Sequence, residues 1–400
     1  MPQVSKKGQV MPASPIRRLV PYSDAAKAKG IKVYHLNIGQ PDIETPKFAL
    51  DALSKHDWKV LAYTHSAGNA STRKKMTEYY KKWGIDVTED EIILTNGGSE
   101  AIQFAFGVCL DAGDEVIIPE PFYANYNGFA IESDVVVKPV MSYINRGFAL
   151  PSIEEFEKVI TDKTKAIMIC NPNNPTGAVY SEEELHQLAE LVKKYDLFLF
   201  VDEVYREFAY DGKYVFPALN LGIDENVIMF DSLSKRYSAC GARLGMFVSR
   251  NKEVMKAAMK FAQARLCPSA FSQVFAEAAI DTPDEYFDTV KKEYLSRRDC
   301  VVVGMNAIPG CFCPTPRGAF YAVARLPIDD SNNFCKWLLE EFSFNGETVM
   351  LAPASGFYSE EGLGKNEVRI SYCLKVEDLK AAMRCLEEAL KVYPGKVAMI

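Results

Sequence analysis

The stretch Asp231-Ser232-Leu233-Ser234-Lys235-Arg236-Tyr237-Ser238-Ala239-Cys240-Gly241-Ala242-Arg243-Leu244-Gly245 decides how this 400-residue chain is read. One apolar run, Asn226-Val227-Ile228-Met229-Phe230, feeds it, and a second, Leu244-Gly245-Met246-Phe247-Val248, leaves it. Both have the length and the turn-forming borders of short buried strands. Between them stand hydroxyls, a lysine, a glycine and an arginine. Hydroxyls that donate hydrogen bonds and a guanidinium fork suit a phosphate ester. A lysine beside such a group offers an amine for chemistry, and its natural partner is an aldehyde cofactor joined as a Schiff base. An ordinary surface loop uses the same residue types, and the chain holds 46 Lys and Arg. The rest of the sequence has to choose between the two readings.

Upstream, Leu197-Phe198-Leu199-Phe200-Val201 is the most apolar strand, and it delivers Asp202-Glu203-Val204-Tyr205. A carboxylate at the C-terminal end of a buried parallel strand lies where α/β folds bind ligands. The plainer role for Asp202 is a helix cap or a turn. Residues 166–170 form another strand, which ends in Asn171-Pro172-Asn173-Asn174-Pro175-Thr176-Gly177. Two prolines restrict that loop, so an asparagine amide can be held rigidly in it. Ser181 with Glu184 then makes a capping box for a helix that turns Leu185, Leu188, Ala189 and Val192 inward.

Earlier still, residues 91–95 read as a strand, Asn96-Gly97-Gly98 as a turn, and Ser99-Glu100 as the opening of a helix. Free amide N–H groups and the positive end of the helix dipole face whatever sits above such a turn. Together with Ser232 and Arg243, the turn becomes the second half of one anion site. A strand at 114–119 leads to Tyr123, an aromatic at a strand mouth that can stack on a heteroaromatic ring or simply pack. The strand at 33–37 runs into Gly39, which marks a close backbone approach or a tight bend. Tyr63 is a loop tyrosine, half-buried on the plain reading, ahead of a charged helix near 73–83. Past Arg250 two helical runs, 277–298 and 331–342, flank a strand at 318–323, and a last strand at 368–372 precedes a helix at 376–392. Arg369 on that last, apolar strand is unusual, because a buried arginine needs a partner.

Alternating strands and helices over residues 46–290 predict an α/β fold with a mostly parallel sheet covered on both faces. The net charge of −7 leaves no basic excess for nucleic acid. No apolar run approaches the ~18–20 residues that cross a bilayer, and the charged N-terminus has no apolar segment behind it. Ten cysteines lack a framework spacing, and several sit in apolar runs, as in a cytoplasmic protein with reduced thiols. Cys311 and Cys313 have no histidine near them, so no metal is expected.

Ser-Leu-Ser-Lys, followed eight residues later by Arg243 in Gly-Ala-Arg-Leu-Gly, resembles the pyridoxal phosphate (PLP) lysine signature of class I/II aminotransferases. These are fold-type I PLP enzymes related to aspartate aminotransferase, and the resemblance runs over nearly the whole chain. It implies a three-layer large domain at 46–290, a smaller α+β domain at 291–400, and residues 1–45 as an N-terminal arm and part of the small domain. It implies that Lys235 carries PLP and relays the substrate proton, that Asp202 pairs with the pyridine nitrogen, and that Tyr205 and Asn174 serve the ring oxygen. Tyr123 would stack on the ring. Gly98, Ser99, Glu100, Ser232, Ser234 and Arg243 would surround the phosphate, and Tyr63 would reach the phosphate of the neighbouring subunit, making a homodimer with shared active sites. Arg369 would grip the substrate α-carboxylate, with Gly39 and Asn174 beside it.

The resemblance further implies an amino acid and a 2-oxo acid such as 2-oxoglutarate as substrates, with aspartate the expected donor. Alanine or aromatic amino acids are alternatives, and so is a PLP lyase of the same scaffold. Ser99 stands where some bacterial aspartate aminotransferases carry a lysine, which weakens strict aspartate specificity. Arg265, or Arg17 on the arm, is left as the candidate for the substrate side chain. A DNA-binding regulator with an enzyme-like domain is set aside, because the first 45 residues are too short and proline-broken for the added module.

Overall fold

A computed structural model describes residues 2–397. Twelve strands appear in chain order: β1 (Lys32–His35), β2 (Ile92–Thr95), β3 (Glu115–Glu120), β4 (Val136–Met141), β5 (Thr164–Cys170), β6 (Phe198–Asp202), β7 (Val227–Ser232), β8 (Gly245–Val248), β9 (Tyr321–Arg325), β10 (Glu347–Met350), β11 (Ala352–Pro353) and β12 (Glu367–Ser371). Seven of them form one sheet in the order β2-β8-β7-β6-β5-β3-β4. Only β8 runs against its neighbours, which makes this the mostly parallel sheet that the alternation predicts.

The strands bury both faces, and their residues alternate between two cores. Ile167, Ile169, Leu199, Val201, Val227 and Met229 face one layer. Met168, Phe200, Ile228 and Phe230 face the other. A period of two along strands with helices above and below leaves no polar face. Helices Ala70–Lys82, Glu182–Tyr195 and Ala270–Ala279 contribute to the first layer, and helices Gly98–Cys109 and Lys252–Ala264 to the second. The capping box forms as expected, with Ser181 and Glu184 bonding reciprocally.

A second core gathers Leu19, Tyr34 and Leu36 with residues from 290 onward. It holds the antiparallel sheet β11-β12-β9 and the parallel pair β1-β10. Cys170, Tyr205 and Phe208 also join this core, so it links residues 19–36 and those from 290 onward to the segments after β5 and β6. The boundary expected at 290 falls inside a continuous helix, Asp284–Ala307.

Several elements differ from the expectations. The run at 277–298 is two helices, because the first ends at Ala279 and Pro283 sits at the N-cap of the next. The strand expected from 318 begins at Tyr321, since Ala319 has φ 53° and its N–H donates to the Phe208 carbonyl at 2.8 Å. Edge strand β4 was not anticipated; it carries Pro139, a residue that edge positions tolerate. Among the described residues no helix is long and apolar enough to cross a membrane.

Candidate active site

Strand β7 ends at Ser232, whose Oγ accepts the N–H of Ser234 at 3.1 Å and caps the short helix Leu233–Arg236. The Ser232 and Ser234 hydroxyls lie 2.8 Å apart. This cap fixes the helix on which Lys235 stands. Its Nζ donates to the Gly39 carbonyl at 2.9 Å and lies 3.9 Å from Cys240 Sγ. A Cβ at Gly39 would collide with the Tyr321 phenol, so the close backbone approach is the reason for that glycine.

Next to it, β6 ends at Asp202. The carboxylate is buried, and among the described residues it has no cationic partner. Tyr126 donates to Oδ2 at 2.8 Å and the Val204 N–H to Oδ1 at 3.3 Å. Burial pushes its pKa up to about 6, against the pull of these two donors. Tyr123 meets the ring of Tyr126 edge-on, with centroids 5.4 Å apart, and accepts from Asn125 Nδ2 at 2.7 Å.

The buried Arg369 guanidinium lies between the rings of Tyr321 and Phe357, at 4.6 and 4.8 Å. Its Nη1 donates to Asn174 Oδ1 at 3.1 Å and its Nη2 to the Asn37 carbonyl, while Nε has no partner. No carboxylate answers this charge among the described residues. Asn174 Nδ2 reaches Tyr205 Oη at 3.5 Å, and Tyr205 shares a hydrogen bond with Tyr321 at 3.0 Å. The bonds preceding Pro172 and Pro175 are both cis.

The turn before Gly98–Cys109 forms the fourth wall. Gly97 has φ 83°, and no side chain caps the helix. A Cβ at Gly97 would strike the Arg243 guanidinium, and one at Gly245 would strike the Gly97 backbone. The turn, β8 and Arg243 are therefore in contact only because both positions are glycine. Ser99 sits in the first turn of the helix. The Glu100 carboxylate does not face the cradle; it accepts from Asn96 N–H at 2.8 Å and lies 3.3 Å from Arg265 Nε. Only its backbone N–H remains for an anion, as repulsion between like charges requires.

Tyr63 is 80 % exposed, not half-buried. Arg265 donates to the Leu94 carbonyl at 2.7 Å and pairs with Glu100, so its charge is committed within its own fold. Arg17 is exposed on the arm. Sequence reading did not assign Tyr126, Tyr321, Phe357 or Asn37 a role. Aromatic residues are frequent in this chain, so Tyr126, Tyr321 and Phe357 carry no signal of their own.

An amine, a buried carboxylate without a cation, an unanswered guanidinium and an anion-ready turn thus converge at the C-terminal ends of β6, β7 and their neighbours. Comparison with known proteins adds to this geometry. The family model described as aminotransferase class I and II matches residues 31–386. An aspartate aminotransferase of Pyrococcus horikoshii is 32% identical over 90% of this chain and 91% of its own length. Aromatic-amino-acid aminotransferase 2 of Thermococcus litoralis is 32% identical over 91% of this chain and 93% of its own. The solved alanine aminotransferase of Pyrococcus furiosus superposes with a TM-score of 0.90 at 32% identity, covering 97% of this chain and all of that one.

Proposed function

Because the chain belongs to the class I and II aminotransferases, which use pyridoxal 5'-phosphate, we propose that it moves the amino group of aspartate or a similar acidic amino acid to a 2-oxo acid such as 2-oxoglutarate, with Lys235 as the cofactor's covalent anchor. Relatives of equal similarity carry aspartate, aromatic and alanine names, so likeness supports the reaction and leaves the donor to be argued.

The residues present fit the cofactor. A buried carboxylate that forms no ion pair among the described residues is the partner that a protonated pyridine nitrogen needs, and Asp202 is one. That single observation carries the reading, because burying a carboxylate with hydrogen bonds but no opposite charge is costly. Asn174 and Tyr205 would take the ring oxygen and Tyr123 the ring face. Gly98, Ser99 and the Glu100 backbone would hold the phosphate with Ser232, Ser234 and Arg243. When bound, the cofactor supplies an electron sink for the α-carbon of the amino acid.

The chain's own groups do the rest. Arg369 binds the substrate α-carboxylate through its free N–H edge, and Tyr321 and Phe357 hold the guanidinium plane. Lys235 Nζ, beside the Gly39 carbonyl, takes the α-proton and delivers it again, work that typically contributes about 10²–10⁴ in rate. Asp202 keeps the ring nitrogen protonated. A homodimer with shared sites is part of the reading: Val60, Leu61 and Tyr63 are exposed together in one loop, a cost that a second copy would remove. So are a cytoplasmic location and the division into arm, large domain and small domain. The test is turnover of an amino-acid panel with and without 2-oxoglutarate. Dependence on the acceptor supports transamination, and sustained pyruvate and ammonia release without one contradicts it.

A further inference from the structure

We propose that Glu120 is a positioning residue for substrate binding: from the end of β3 it fixes residues 357–359 and so holds Phe357 on the Arg369 guanidinium; the proposal rests on the aminotransferase reading above. The two ends of this linkage belong to different sheets. Glu120 closes a strand of the seven-stranded sheet, whereas Arg369 stands on β12 of the antiparallel one. Their alignment at the site therefore depends on the contacts between them.

Three hydrogen bonds fix the intervening segment. The Phe122 N–H donates to the Phe357 carbonyl at 2.9 Å. Two residues along on each side, the Ser359 N–H donates to Glu120 Oε2 at 2.8 Å. Tyr358, between them, donates its phenol to Glu367 Oε2 at 2.6 Å, and Glu367 precedes Arg369 by two residues on β12. The segment is thus tied at once to the end of β3 and to the strand that carries the guanidinium. Phe357 itself is fully buried, packs with Ala124 and Ala352, and meets Arg369 at 4.8 Å. Ala352 is the register partner of Arg369 on β11.

Glu120 is 2 % exposed and forms no ion pair among the described residues. Burying a carboxylate in this way is costly, and an apolar side chain would serve β3 better if packing were its only task. What the carboxylate does instead is receive the Ser359 N–H. A guanidinium flanked by Tyr321 and Phe357 keeps its plane, and with it the direction of the edge that a carboxylate meets. Without the Glu120 bond, Phe357 gains freedom and that edge is aligned less often. Carboxylate affinity falls, while the cofactor is held by other residues.

The experiment compares the cofactor-loaded wild type with Glu120→Ala, Glu120→Gln, Phe357→Leu and the Glu120→Ala/Phe357→Leu double variant. Butyrate, a carboxylate with no amino group to transfer, is titrated calorimetrically and PLP uptake by fluorescence. Hydrogen exchange is followed on the peptide containing Ser359. Glu120→Ala weakens butyrate about 10-fold, as expected for a lost hydrogen bond to a charged group, and speeds exchange at Ser359, with PLP affinity little changed. Glu120→Gln keeps an acceptor oxygen and recovers most of both losses. Phe357→Leu weakens butyrate by itself, and the double variant is no worse, because the two residues act through one contact. Unchanged butyrate affinity in Glu120→Ala, a parallel loss of PLP, or losses that multiply in the double variant overturn the proposal, as does a wild type that binds no butyrate. Failure of the aminotransferase reading shows elsewhere, as an amino-acid panel that leaves the bound cofactor unconverted.

Discussion

Tyr126 donates its phenolic hydrogen to Asp202 at 2.8 Å, the shortest hydrogen bond the carboxylate receives in the interior of the large domain. The bond offsets burial only partly, and the Asp202 pKa stands at about 6 against an ordinary 3.8. Between about pH 4 and pH 6 the folded, cofactor-free protein therefore holds a proton there that the unfolded chain has released. The resulting penalty is small below about pH 4 and complete above about pH 6, where it amounts to about 3 kcal/mol. At pH 7.5 the cofactor-free Asp202→Asn variant should be more stable than wild type by on the order of 1–3 kcal/mol, with the gap shrinking by more than half at pH 4.5. Adding PLP should stabilise wild type more than the variant. Thermal melts at the two pH values check this.

Arg369 offers a planar edge that a lysine cannot reproduce. Arg369→Lys should lower kcat/KM by roughly 10²–10³, the equivalent of about 3–4 kcal/mol and within the range of a disrupted buried ion pair. Cofactor uptake should persist. Steady-state kinetics with the cofactor band monitored in parallel separates the two.

How much of this could be read from the chain alone follows from what each residue signals. Lys235, Asp202 and Asn174 stand in strings whose composition is informative: a hydroxyl-lysine-arginine loop, an acid ending an apolar strand, an asparagine between prolines. The partners that tune them do not. Tyr126, Tyr321 and Phe357 are ordinary aromatics whose roles arise from contacts between segments far apart in sequence. The pairing of Glu100 with Arg265 is hidden for the same reason, since it joins the helix Gly98–Cys109 to residue 265. The sheet was legible because its strands are apolar on both faces; β4 was less so, as an edge strand broken by Lys138 and Pro139.

Arg243 lies against the Gly97 turn and makes only long bonds to the Cys240 and Asn96 carbonyls, at 3.3 and 3.4 Å. Its charge is free for a phosphate. Arg243→Gln should weaken PLP about 10–100-fold while leaving pyridoxal, which lacks the phosphate, little changed. Fluorescence titration with both compounds distinguishes phosphate binding from a general loss of the site.

Behind the lysine, Asp231 is fully buried between Arg206, at 3.2 Å, and Arg236. Burial alone would push its carboxyl up, but the two guanidinium groups hold it below the ordinary range. Tyr80 donates to it as well, at 3.0 Å. Arg206 also pairs with Glu203 at 2.7 Å, so one acid joins the segment after Asp202 to the segment carrying Lys235. Asp231→Asn leaves two buried cations short of charge and should destabilise the fold by about 3–5 kcal/mol. Urea unfolding of the cofactor-free protein measures it, as a lower midpoint at constant slope.

The most direct measurement is borohydride reduction of the PLP-loaded protein, followed by peptide mapping. The account predicts one phosphopyridoxyl group per chain, on the peptide containing Lys235, and its disappearance in Lys235→Ala. A label on another lysine, or a cofactor-saturated protein that takes up none, would contradict it.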